Sequence, residues 1–137
     1  MLDPYDTTKL YLDYDKEYED LVGELKENEN WFPETYLDAF ILAVSIAVKK
    51  QLEPIPLNKK SINQKNQIRI GIVVKDKHKT FFRAVAFSYL KDIEIIKNMD
   101  KVYEIVEMFA NAGLKEISEE YFNKVDNPTF LLAEMGL

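Results

Sequence analysis

The sequence predicts a mainly α fold, a compact helical domain of five to six helices with a small β element. Three observations predict it. Apolar residues recur at helical spacing in several separate stretches, while only Gln67–Lys75 alternates as a strand does. The length of 137 residues suits a single domain spanning 1–137, and a hydrophobic content of 47% is enough to fill a core without cross-links.

Residues 1–13 are polar and tyrosine-rich and read as a loosely ordered segment. From Asp15 to Glu27 the pattern is helical: Tyr18, Leu21, Val22 and Leu25 share one face, with acids opposite. Asn28–Pro33 reads as a turn that Trp31 and Phe32 anchor, with Pro33 at the first helical position of the next element. That helix, residues 34–51, is apolar nearly all round through Phe40–Val48, as a central core helix is, and Lys49 and Lys50 complement its carboxyl end. The prolines of Glu53-Pro-Ile-Pro-Leu57 forbid helix there. Asn58–Gln67 is polar and reads as an exposed loop.

In the strand Gln67–Lys75, Ile68, Ile70, Ile72 and Val74 face one side and Arg69, Gly71, Val73 and Lys75 the other. Asp76–Lys79 is expected to turn, and Thr80 to cap a helix from Phe81 to Lys91. Ile93–Ile96 fits either a short strand or a helical linker. A helix over Asp100–Ala112 follows, stopped by Gly113, then another over Leu114–Asn123 and a short one after Asn127-Pro128. A lone strand needs a partner for its backbone groups. The options are Ile55–Leu57, Ile93–Ile96 or the same strand of a second subunit, and the last makes a homodimer the working expectation.

Chemistry is less visible than fold. Without cysteine there are no disulfides, thiolate metal sites or cysteine nucleophiles. His78 is the only histidine and reads as an exposed turn residue between two lysines. The carboxylates Asp13, Asp15, Glu17, Glu19 and Asp20 lie on a solvated helix face and its approach, without calcium-loop spacing. The four glycines form no phosphate-binding loop, and no serine has a nucleophile-elbow setting. The residues therefore point to a non-enzymatic protein with no cofactor. The amino end lacks the basic and apolar regions of a signal peptide, and the longest apolar run, Ala39–Val48, is far short of the roughly 20 residues that cross a bilayer. The expected location is the cytoplasm.

Charge is the strongest remaining signal. Ten of the eighteen basic residues fall between Lys49 and Arg83, against only Glu53 and Asp76, in a chain whose net charge is −6. Lys50, Lys59, Lys60, Lys65, Arg69, Lys75, Lys77, Lys79 and Arg83 form the candidate surface for nucleic acid or a partner if loop, strand and turn lie side by side. Lysine outnumbers arginine, which suits contacts to phosphates more than the reading of bases.

Three stretches also resemble a known family. They are Asp38–Leu57, a core helix with a basic, proline-containing exit; Phe82–Ile96, an alanine-rich helix ending in Lys-Asp-Ile; and Ile105–Ile117, similar to an aromatic-Ala-Asn-Gly-Gly-Leu signature with Ala112 at the first glycine. In that order and spacing they resemble the small accessory proteins of DNA phosphorothioation (dnd) islands, over residues 18–132. The resemblance implies an accessory role in a defence system that modifies DNA with sulfur or restricts DNA lacking that mark. It assigns no catalytic residues. The partners expected are DNA, through its phosphates, larger proteins of the same system, and a second copy of the chain. The alternative reading is a protein–protein adaptor that makes no DNA contact and binds through its acidic helices.

Overall fold

The computed structural model describes residues 7–27, 33 and 35–124, the last four without their side chains. Its frame is a pair of packed helices, α2 (Tyr36–Lys49) and α5 (Met99–Lys124). The apolar run of α2 buries Leu37, Ala39, Phe40, Leu42, Ala43, Val44, Ile46 and Ala47, as a helix covered on most sides must. It starts later than the proline suggested. Thr35 holds an extended backbone and its hydroxyl accepts the Asp38 N–H at 3.0 Å, so the cap falls there and Pro33 lies two residues ahead of it.

Helix α5 runs straight through Gly113, where a stop followed by a second helix was expected. A Cβ at position 113 would stand 1.8 Å from the carbonyl oxygen of Ala43. The glycine therefore permits a close crossing of α2 and α5 rather than ending a helix, and tertiary packing overrides its poor helix propensity.

Helix α4 (Asp76–Leu90) covers one side of this pair. Phe82, fully buried, lies between Phe40 and Tyr103 and meets each ring edge-on with centroids 6.0 Å apart. Burial of such a ring stabilises by about 2–3 kcal/mol. Lys91 in the left-handed region (φ 59) ends the helix. The ambiguous Ile93–Ile96 segment is a 3-10 turn over Ile93–Lys97, capped by Asp92, whose carboxylate accepts the Glu94 N–H at 3.0 Å. Helix α1 (Glu19–Lys26) follows a 3-10 turn at Lys16–Tyr18 and buries Leu21, Val22 and Leu25 against α2.

The β element is smaller than expected and differently paired. Strand β1 (Tyr11–Leu12) runs antiparallel to β2 (Ile68–Arg69), with Tyr11 opposite Arg69 and Leu12 opposite Ile68. After Arg69 the chain makes one helical turn, α3 (Ile70–Val73), closed by the Val74 N–H on the Ile70 carbonyl at 3.1 Å. Ile68, Ile70 and Val74 are buried, but Ile72 is 61% exposed. The spacing thus changes from two to four within a β-branched run, which alternation alone does not disclose.

The partner of β2 is none of the three candidates but the segment expected to be loose. Residues 7–13 are fastened across the fold. The side chains of Thr7 and Thr8 donate to Asp100, the Thr8 N–H does so at 2.8 Å, and the Asp13 N–H donates to Glu107 at 2.7 Å. Leu12 is fully buried. An internal partner for β2 removes the reason for expecting a homodimer.

The loop 58–67 also departs from its reading, because Asn63 and Asn66 are buried within it. Asn63 Oδ1 accepts the Tyr14 N–H at 3.0 Å, and Asn66 Nδ2 donates to the Glu19 carbonyl at 2.7 Å. The turn Asn28–Phe32 with its anchors Trp31 and Phe32, residues 1–6, and the helix expected after Asn127 lie outside the described residues. Among the described residues no helix is long and apolar enough to cross a membrane.

Candidate functional site

The nine candidate residues stand in several local settings, and three of them line one cleft. Lys50 pairs with Glu116 of α5 at 2.9 Å and Lys65 with Asp20 of α1 at 3.4 Å, the latter a well-exposed pair worth little. The Arg83 guanidinium lies 4.0 Å from Met99 Sδ and 3.4 Å from Thr80 Oγ1, against the body of the protein. Lys60 is exposed in the loop and Lys79 half-buried on α4. Lys59 lines a different cleft from the remaining three.

Those three, Arg69, Lys75 and Lys77, line one cleft of about 380 Å³. Its other walls are Thr35, Tyr36, Leu37 and Asp38, the first turn of α2 with its cap, together with Gln67, Ile68, Val73 and His78. The expected turn at Asp76–Lys79 is the first turn of α4, because that helix begins at Asp76, not at Phe81. Thr80, expected as the cap, instead donates its hydroxyl to the Asp76 carbonyl at 3.0 Å. The amino ends of α2 and α4 therefore meet at the same cleft, each carrying roughly half a positive charge. Three full cations join them, against the single lining carboxylate Asp38.

His78 is part of this geometry and no stray turn residue. Its ring Nδ1 accepts the Lys75 N–H at 2.9 Å, and its backbone N–H donates to the Lys75 carbonyl at 3.0 Å. Burial, then the neighbouring Lys77, push its pKa below the ordinary value; Asp38 opposes them and Lys75 adds to them. The neutral ring accepts at Nδ1 and so carries its proton on Nε2, a donor without formal charge. Sequence reading missed His78 because its role depends on where α4 begins.

A second cleft, of about 560 Å³, has the opposite balance. Asp13, Asp100, Glu104 and Glu107 line it with Lys9 and Lys59, over apolar Pro56, Leu57, Ile62 and Met108. Glu107 is buried. It accepts the Asp13 N–H and pairs with Lys9 Nζ at 3.2 Å, and burial pushes its pKa up to about 7 despite Lys9. Nothing in the sequence marks this carboxylate beyond its place within the apolar stripe of α5. Glu19 and Asp15, read as solvated, are structural. Glu19 Oε2 accepts the Gln64 and Lys65 N–H groups at 2.6 Å each, and Asp15 Oδ1 accepts the Asn58 N–H at 2.7 Å. Among the described residues no group of three or more histidine, aspartate or glutamate side chains could hold a metal ion.

No curated protein and no solved structure matches the chain. A family model described as DNA sulphur modification system-associated protein 4 matches residues 13–136, which takes in the cleft of Arg69, Lys75 and Lys77 and the α-helices of the described residues. The resemblance carried by the three stretches of sequence holds: the chain belongs to the family of DNA sulphur modification system-associated protein 4.

Proposed function

We propose that this chain is a non-enzymatic accessory subunit of a cytoplasmic DNA sulphur modification system, and that it contacts DNA phosphates through the cleft of Arg69, Lys75 and Lys77. The observation that carries the reading is the meeting of these three cations with the amino ends of α2 and α4. Backbone N–H groups at a helix start and cationic side chains are what a phosphate oxygen seeks. The acidic remainder of the surface suits a local contact, not wrapping of the duplex. Lys59, Lys60, Lys65 and Lys79 then act at longer range, as part of the field that draws DNA in. Larger proteins of the same system are the other partners in this reading.

Fluorescence anisotropy with a short duplex at two salt concentrations tests it. Binding should weaken with salt at a log–log slope of about −3 for three neutralised phosphates. Lys75→Glu/Lys77→Glu should abolish it, while Lys59→Glu/Lys60→Glu/Lys65→Glu should weaken it less. A native chain that binds no duplex even at low salt removes the DNA contact. The adaptor reading then takes its place, to be tested by pull-down of neighbouring gene products after nuclease treatment.

A further inference from the structure

We propose that two copies of this chain associate about a two-fold axis, through the face where the carboxyl ends of α2 and α4 meet. Among the described residues seven large apolar side chains are exposed, and five of them, Val48, Phe87, Tyr89, Leu90 and Ile93, stand at these two helix ends. Such a concentration marks a contact surface. Val48 and Tyr89 line one groove of about 300 Å³, whose apolar walls also include Leu52, Pro54 and Phe109. The Tyr89 ring meets Phe109 edge-on with centroids 5.3 Å apart, which fixes that wall. The groove shares no lining residue with either cleft described above.

The face suits a second copy of itself. Val85, Ser88 and Tyr89 lie along the flank of α4 that borders the groove. At about 100° per residue Phe87 and Leu90 fall outside that flank, and exposed Ile93 continues them past the helix end. A ridge therefore runs beside a groove. A two-fold axis between them seats the ridge of each copy in the groove of the other, as an isologous interface requires. The charges agree with this arrangement. Lys49 and Glu53 are exposed on the groove side, Lys91 and Asp92 on the ridge side. None of the four is in an ion pair among the described residues. The axis sets groove side against ridge side, so Glu53 meets Lys91 of the other copy and Lys49 its Asp92, each sign against its opposite.

Sedimentation equilibrium of the full chain at micromolar concentrations tests the proposal. The native chain should show a reversible monomer–dimer equilibrium. Ile93→Glu, at a residue 58% exposed, should shift it to monomer with an unchanged circular dichroism spectrum. Glu53→Lys and Lys91→Glu should each weaken the dimer about five-fold, since each spoils two symmetry-related pairs. The double variant, with the two charges exchanged, should restore native affinity, a recovery that loss of fold does not give. A native chain that stays monomeric at every concentration overturns the proposal and leaves the face to a different protein. A dimer untouched by Ile93→Glu, or single variants without rescue in the double, overturns this face as the place of contact.

Discussion

Gly113 of α5 faces the backbone of Ala43 in α2 so closely that a β-carbon on it would sit 1.8 Å from the Ala43 carbonyl oxygen. The obstacle is main chain in the middle of a buried helix, which has no rotamer to swing aside. Gly→Ala inside a helix ordinarily stabilises by about 1 kcal/mol. Here the sign should reverse, with Gly113→Ala costing about 2–3 kcal/mol as the helices are forced apart. Urea denaturation of the two proteins would check it; an unchanged or raised midpoint would contradict the crossing.

Glu19 closes the loop 61–66 by accepting the Gln64 and Lys65 N–H groups from a buried position. Burial works against its charge, but the hydrogen bonds from Lys65 and then Gln64 prevail and its pKa is lowered. Its contribution is therefore present above the ordinary carboxylate value and lost as pH falls through the lowered one. Glu19→Ala should cost about 2 kcal/mol and speed amide exchange at residues 64–66 more than elsewhere. Uniform exchange across the chain would argue against the role.

Glu107 has the opposite sign. Burial raises its pKa from 4.5 to about 7, so between these values the folded chain holds a proton that the unfolded chain has released. Stability from this group falls as pH rises through that window, by on the order of 2 kcal/mol. Glu107→Gln should flatten this slope while still accepting the Asp13 N–H. Melting temperatures measured from pH 5 to 8 would reveal the difference, and parallel curves for the two proteins would refute it.

His78 offers a direct probe of the basic cleft. Burial and then Lys77 hold its pKa low. As the only histidine it gives a single set of ring signals in a proton NMR titration. Its midpoint should lie below that of free histidine, rise in Lys77→Met, and rise again when duplex DNA fills the cleft and brings negative charge near. A midpoint unmoved by DNA that binds elsewhere would point away from this cleft.

Much of the fold was legible in sequence because it depends on long apolar periodicities. Phe40–Val48 specified a central helix, and Val102, Ile105, Val106 and Phe109 specified its main partner. What was not legible depends on contacts between distant residues. Gly113 has the local character of a stop, and only the proximity of Ala43, seventy positions earlier, makes it a spacer. Tyr11 and Leu12 carry too weak a pattern to announce a strand; they become one because Ile68 and Arg69 present unpaired backbone. The candidate cleft was legible in part. Arg69, Lys75 and Lys77 stood out by charge, but their meeting with α2 depends on Thr35 as its cap and on α4 starting at Asp76.

The fastening of residues 7–15 has a consequence for how the chain is made. Their backbone and side-chain donors reach Asp100, Glu107 and Asn111, more than ninety positions onward. During synthesis this stretch leaves the ribosome long before those acceptors exist, so it is expected to wait in water and join last, once α5 has emerged and docked. A ribosome stalled before residue 100 should accordingly display these residues open to protease, however well the helices already present have formed.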